Sequence, residues 1–190
     1  MAKIAVLVGS NRAGSYNRLL GDLAVKALEQ SGAQVTDIDL AALDLPIYSD
    51  HLEANAFPEP ARKLKAILIE QDGLLFVSPE YNGSVTPLLK NAIDWASRPS
   101  EGESPIALSA FRGKASAMMA ASIGPFGGLR SLQHLRQILA TVQTVAIPDQ
   151  LQVPMADSAF DEAGQLRVPL QASLVETIAQ RLVAVTRALP

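Results

Sequence analysis

The spacing of hydrophobic positions changes period along the chain, and the changes mark out successive elements. Residues 3–8 (KIAVLV) carry successive apolar side chains behind one lysine and stop at Gly9-Ser10, as a strand buried on both faces does. Across residues 16–31, Leu19, Leu20, Leu23, Ala27 and Leu28 recur at helical spacing, and Gly32 ends the helix. Residues 33–38 predict a second strand; residues 39–57, with Pro46 and no clean period, predict mostly loop. Pro58 and Pro60 open a helix to about residue 71, with Leu64, Ile67 and Leu68 inward. Residues 73–78 (GLLFVS) read as a third buried strand, and a helix follows from Thr86-Pro87 to about residue 97.

Residues 98–111 are polar, hold Pro99, Gly102 and Pro105, and predict a long loop. Residues 114–121 are small residues and methionines that intrinsic propensity alone would make helical; the alternation of elements makes them a fourth strand. After the glycine-rich residues 122–128 comes a helix carrying Leu129, Leu132, Leu135, Ile138 and Leu139. Residues 141–147 are β-branched and predict the fifth strand. Residues 149–168 predict a loop with a turn at 161–164, and residues 170–189 a last helix. Five alternations of strand and helix predict a parallel sheet with helices on both faces, in a single α/β domain spanning residues 1–190.

Composition narrows the function classes. The 190 residues contain no cysteine, which excludes thiolate metal sites, disulfides and a cysteine nucleophile. His51 and His134 lie far apart with no metal-binding spacing, so no metal is expected. Sixteen basic against nineteen acidic residues give a net charge of -3, which disfavours nucleic-acid and anionic-membrane partners. The opening residues, MAKIAVLVGS, are too short an apolar run for a secretory or membrane segment, so a cytoplasmic protein is expected.

Ligands of open parallel sheets bind beyond the carboxyl ends of the strands where strand order reverses. That rule selects residues 9–17, 79–86 and 122–128, all rich in glycine and small polar side chains. The first, GSNRAGSYN, leads from a strand into a helix whose first N–H groups have no partner within the helix. With Ser10, Ser15 and Arg12 they would cradle a phosphate; the alternative is a plain turn with Ser15 as N-cap. The segment has neither G-x-x-x-x-G-K-S/T nor G-x-G-x-x-G, and Asn11 in place of the second glycine favours a single terminal phosphate over a pyrophosphate.

In the second segment, PEYNGSVTP, an Asn82-Gly83 turn follows a buried strand directly. Its backbone donors suit the carbonyl edge of a flat, electron-poor ring. Tyr81 either packs along that ring or covers the core. Glu80 either serves as a general acid, accepts backbone hydrogen bonds, or fixes an oligomer surface. In the third segment, SIGPFGG, Phe126 either lines the cleft or anchors the loop. His134 reads as a helix-surface or interface residue, Trp95 as packing against the sheet or a subunit, and Asp39 as only a weak ribose-binding signal.

Residues 9–17 and 79–99 (PEYNGSVTPLLKNAIDWASRP) resemble the two signature stretches of the NADPH-dependent FMN reductase family, which includes bacterial quinone, chromate and azo-compound reductases. The resemblance extends through DLPIY at 44–48 and GLRSLQHLRQIL at 128–139. It implies a flavodoxin-like three-layer sandwich with a five-stranded parallel sheet of order 2-1-3-4-5. It implies that Ser10, Arg12, Ser15, Tyr16 and Asn17 hold the FMN phosphate. Pro79, Glu80, Tyr81, Asn82 and Gly83 would then line the ring with Ser84 close by, and Ser122 and Gly124 would complete the pocket. Implied further are NADPH or NADH as electron donor, a quinone or similar small oxidant as acceptor, and a homodimer or homotetramer. With the chemistry carried by the cofactor, no catalytic side chain is expected. The other function compatible with FMN binding is a flavodoxin-like electron carrier, although such carriers have an acidic patch that this chain does not show.

Overall fold

The computed structural model describes residues 1–100 and 102–189. Residue 101, within the loop expected at 98–111, and the terminal residue 190 of the expected domain lie outside the described residues. The strands are β1 (Ala2–Val8), β2 (Ala33–Ile38), β3 (Gly73–Val77), β4 (Ala115–Ala121) and β5 (Val145–Val153). The helices are α1 (Tyr16–Gln30), α2 (Asp50–Asn55), α3 (Glu59–Ile69), α4 (Pro87–Ala96), α5 (Leu129–Thr141), α6 (Ala156–Ala159) and α7 (Pro169–Ala188). All strand pairs are parallel and the sheet runs β2-β1-β3-β4-β5, as the resemblance implies.

The unbroken apolar runs divide between two layers because successive strand residues point to opposite faces. Ile4, Val6, Val8, Leu75 and Val77 pack under α1 and α7 with Leu20, Leu28, Ile178 and Leu182. Ala5, Leu7, Leu74 and Phe76 pack under α3, α4 and α5 with Leu64, Leu68, Leu89 and Leu135. Each buried Val, Leu, Ile or Phe among them contributes about 1.5–3 kcal/mol. Burial on both sides outweighs the helical propensity of Ala-Ser-Ala-Met-Met-Ala-Ala, every residue of which is buried in β4. A small residue is also required there: a Cβ on Gly128 would lie 2.6 Å from the Ala120 Cβ, so α5 starts almost on the strand.

Three expectations need correction. β5 begins at Val145 and runs to Val153, rather than occupying residues 141–147, because α5 continues to Thr141 and a turn with Gln143 at φ 64° follows. Pro148 does not end the strand. Ser116 pairs with Ala146 but Met118 with Gln150, so the proline sits in an irregularity on an edge strand, where its missing N–H is tolerated. Residues 39–57 include α2, capped by the Ser49 hydroxyl, which accepts from the Leu52 N–H at 3.2 Å. None of its residues is buried, so no apolar period announces it. Within the expected loop at 149–168 the structure adds the end of β5, α6 and a bridge between Phe160 and Leu166 around the anticipated turn.

Trp95 is fully buried, with its indole donating to the Pro46 carbonyl at 2.7 Å and its ring meeting Tyr48 and Phe57 edge-on. Asn91 donates to the same carbonyl and accepts from the Tyr48 N–H. Trp95 therefore anchors the loop after β2 and presents no surface to a neighbouring copy. No helix among the described residues is long and apolar enough to cross a membrane.

The 98–111 loop is held from beneath. Lys65, nearly inaccessible, donates to the Arg98 carbonyl at 2.6 Å and pairs with Glu103. The Lys65 ammonium, the Ser100 N–H and the Ser109 hydroxyl hold the Glu103 carboxyl at about 2, down from its ordinary 4.5. A carboxyl lowered on folding adds stability above its ordinary pKa and loses it as pH falls toward the folded value. Glu103→Gln should therefore lower the urea midpoint at pH 7, and the gap from the parent protein should close between pH 4.5 and 2. A gap independent of pH across that range would show that the ion pair does not hold the loop.

Candidate functional site

The loop after β1 owes its path to one close approach. Gly9 donates to the Val77 carbonyl at 2.8 Å, and its own carbonyl accepts from the Thr86 hydroxyl at 2.7 Å. A Cβ at Gly9 would lie 2.9 Å from both Leu89 Cβ and Thr86 Oγ1, so no larger residue fits without displacement. The loop after β1 and the start of α4 are thereby joined. Gly14, at φ 67°, then turns the chain into α1.

Ser15 takes the N-cap position of α1 with extended backbone, but its buried side chain makes no capping bond. No acidic residue occupies the first turn of α1, so the positive end of the helix is not neutralised from within. Helical hydrogen bonding begins at the Arg18 and Leu19 N–H groups on the Ser15 carbonyl, which leaves the Tyr16 and Asn17 amides as donors. The Arg12 guanidinium lies 5.3 Å from the centre of the Tyr16 ring and donates to the Gly14 carbonyl at 3.1 Å. Tyr16 in turn stacks on Phe160 at 6.2 Å. Phe160 was not identifiable from sequence, because it lies in an aperiodic segment and reaches Tyr16 only through the tertiary fold.

Asn17 has a different task from its neighbours. Its side-chain amide donates to the Ala121 carbonyl at 2.8 Å and accepts from the Ala121 N–H at 2.9 Å. Its side chain thus ties α1 to the end of β4, and only its backbone amide faces a phosphate role.

Residues 81–84 form a two-residue hairpin: Tyr81 and Ser84 exchange N–H to C=O bonds of 2.9 and 3.0 Å. Asn82 at φ 51° and Gly83 at φ 77° occupy the left-handed region, the conformation for which Asn-Gly is favoured. Their two amides have no partner among the described residues. Tyr81 is half exposed beside them. Ser84 is turned aside, sharing a 3.0 Å hydrogen bond with His134 Nδ1, so His134 is an exposed helix residue tied to this turn.

The three loops meet in a cleft of about 360 Å³ that nine of the thirteen expected residues line: Ser10, Arg12, Ser15, Tyr16 and Asn17, then Pro79, Glu80 and Tyr81, then Ser122. Ala121 and Ile123 complete it. Asn82, Gly83, Ser84 and Gly124 lie outside that lining. Gly124 is engaged within its loop, its carbonyl accepting from the Gly127 and Met155 N–H groups. Phe126 is exposed outside the cleft lining with the Arg130 guanidinium over its ring, so it neither lines the cleft nor anchors the loop in the core.

A larger cavity, about 580 Å³, lies between residues 10–13 and the end of β2. Apart from Arg12, which lines both cavities, its charged groups are already matched. Arg18 bridges Asp22 and Asp37, and the Asp39 carboxylate accepts from the Ala41 and Ala42 N–H groups, each at 3.0 Å. Asp39 is thus committed to its own turn. The free donors suit FMN: the unpartnered amides at α1 and the Arg12 cation, on the smaller cleft, for one phosphate, and the two amides of the turn that follows the cleft-lining Tyr81 for a ring edge.

A parallel sheet of order 2-1-3-4-5 between two helix layers, with an open cleft at its switch point, defines a flavodoxin-like fold. The chain belongs to the NADPH-dependent FMN reductase family, whose model matches residues 2–158. It is 36% identical over 165 residues to an NAD(P)H-dependent FMN reductase of Pseudomonas aeruginosa, covering 86% of this chain and 84% of that one. A 2-hydroxy-1,4-benzoquinone reductase of a Burkholderia species is 37% identical, with 86% and 85% covered. Among solved structures, a flavoenzyme NAD(P)H:(acceptor) oxidoreductase of Paracoccus denitrificans superposes with a TM-score of 0.84 at 28% identity, covering 99% of this chain and 98% of that one.

Arg12 is the one exposed cation on the cradle that is free of a carboxylate partner among the described residues. A hydrogen bond to a charged group contributes roughly 1.5–3 kcal/mol, so Arg12→Ala should weaken FMN binding about ten- to a hundred-fold. Riboflavin, which has no phosphate, should bind both proteins alike. Titrating both ligands into both apoproteins checks this, and an equal loss for riboflavin would assign Arg12 to the fold.

Proposed function

We infer that this chain is an FMN-dependent NAD(P)H oxidoreductase that passes reducing equivalents to quinones or similar small, flat oxidants. The observation that carries this reading is an unneutralised helix end on the cleft together with unpartnered amides in the turn that follows the cleft-lining Tyr81. The family and the Pseudomonas and Burkholderia relatives support it. FMN, when bound, supplies both the acceptor for the nicotinamide hydride and the donor to the oxidant. The Tyr16 and Asn17 amides, Ser10, Ser15 and Arg12 would hold the phosphate. The Asn82 and Gly83 amides would donate to the carbonyl edge of the ring and favour its electron-rich form. Ser122 and the backbone at Gly124 would close the far side. Tyr81 and Ile123, each at least half exposed, would give the open face an apolar border suited to planar partners.

No residue of the cleft needs to move a proton. Glu80 is already occupied by donors, and His134 is bonded to Ser84 away from the cleft lining. The single cleft gives nicotinamide and oxidant the same place in turn, so the kinetics should be ping-pong. Purified protein should bind FMN in preference to FAD and lose the oxidised flavin absorbance on anaerobic addition of NADPH. NADH should serve as well. Double-reciprocal plots at varied quinone should give parallel lines. Recovery of FAD as the stoichiometric cofactor, intersecting lines, or a bound flavin that ignores NADPH would each overturn part of this reading, the last in favour of an electron carrier.

A homodimer or homotetramer forms part of the same proposal. With Trp95 interior, the exposed apolar groups beside the cleft, Ile123, Phe126 and Met155, are the surface that assembly would cover. Light scattering at micromolar concentration should give at least twice the chain mass; a monomer throughout would refute assembly.

A further inference from the structure

Helix α5 begins without a cap of its own. Its N-cap is Gly128, at φ 89° and without a side chain, and its first turn holds no acidic residue. The leading N–H groups of such a helix need acceptors from elsewhere. Glu80, fifty residues earlier, supplies them: Oε2 accepts from the Arg130 N–H at 3.1 Å and the Ser131 N–H at 3.3 Å. Oε1 accepts from Arg130 Nε at 2.7 Å. The Glu80 side chain is only 8% exposed, against 59% for Arg130. A buried carboxylate at the positive end of a helix, with both oxygens occupied, is a strong and directional tie.

That tie ends one residue before the Tyr81–Ser84 hairpin. The same face of α5 meets this segment at two more points, one before the hairpin and one within it. Ser131 Oγ donates to the Pro79 carbonyl at 3.0 Å, and His134 meets Ser84 on the far side of the turn at 3.0 Å. The turn is thus bracketed by its own helix–strand neighbour, α5, while its Asn82 and Gly83 amides remain free. A left-handed turn at a loop tip has little packing of its own, so its position relative to the cleft depends on these ties.

We propose that Glu80 is a positioning residue: by capping α5 from the loop after β3 it fixes where the Asn82 and Gly83 amides stand, and so sets the affinity for the ring, not the phosphate, of the flavin. The proposal deepens the FMN reading and rests on it for its ligand. It also explains why an acid lining the cleft is not a general acid.

The test compares Glu80→Gln, which keeps the shape but can no longer accept two amides and the guanidinium together, with Arg130→Met, which keeps both backbone caps and loses only the ion pair. Losing a hydrogen-bonded charge at the cap should weaken riboflavin and FMN alike by about ten-fold in Glu80→Gln, unlike Arg12→Ala, which should spare riboflavin. In flavin-free protein the Asn82 and Gly83 amide resonances should shift or broaden, while those of Tyr16 and Asn17 stay in place. Arg130→Met should change both readouts far less. If Glu80→Gln does not fold, Glu80→Asp, with its carboxylate one methylene short, carries the same test. Unmoved Asn82 and Gly83 resonances with unchanged riboflavin affinity would overturn the proposal, as would an equal effect of Arg130→Met. Failure of the parent protein to bind any flavin would instead sink the FMN reading, and the resonances would still report on the cap.

Discussion

The side-chain amide of Asn17 closes two hydrogen bonds on the backbone of Ala121, and through them the amino end of α1 is held against the carboxyl end of β4. The Asn17 side chain is almost wholly buried, so neither partner has water to fall back on. Removing it would strand a buried N–H and a buried C=O, at about 1–3 kcal/mol each. The segments after β1 and after β4 that wall one side of the cleft are therefore tied together. The Gly9 carbonyl and Thr86 hydroxyl make the corresponding junction between the loop after β1 and α4.

The Gly9 junction and the start of α5 both depend on small residues where chains nearly touch. Gly9 fits against Leu89 and Thr86, and Gly128 against Ala120, only because no Cβ intervenes. The alanine- and serine-rich β4 is the sheet's contribution to this economy of space. It lets α5 begin close enough to the strand for its first turn to meet Glu80 and the residues flanking the Asn82–Gly83 hairpin. The packing that stabilises the fold and the geometry that shapes the cleft are the same set of contacts.

The cleft divides its work between backbone and side chains. Most charged side chains near it are already paired: Arg18 with Asp22 and Asp37, Glu80 with Arg130 and the α5 amides. What remains unpaired among the described residues is a set of backbone amides and one guanidinium. Such donors are fixed by the fold and cost little reorganisation when a ligand arrives. They are suited to holding a cofactor that brings its own reactivity.

Much of this could be read from the chain alone. Runs such as IAVLV and GLLFV are long, apolar and bounded by glycine, and burial on both faces leaves them no other home; the helices between them followed from their own period, while the sheet order came from the family resemblance. The three loops were legible because ligand sites of parallel sheets fall at strand ends, and Asn82-Gly83 announced its own turn. What the chain could not disclose depends on contacts between residues far apart. The extent of β5 past Pro148 was decided by its being an edge strand, α2 by a cap on a helix that buries nothing, and the place of Trp95 by the Pro46 carbonyl. The roles of Asn17, Glu80 and Phe160 were decided the same way. A side chain's chemistry is written in its identity, but whether it meets ligand, backbone or core depends on which partner the fold brings within 3 Å.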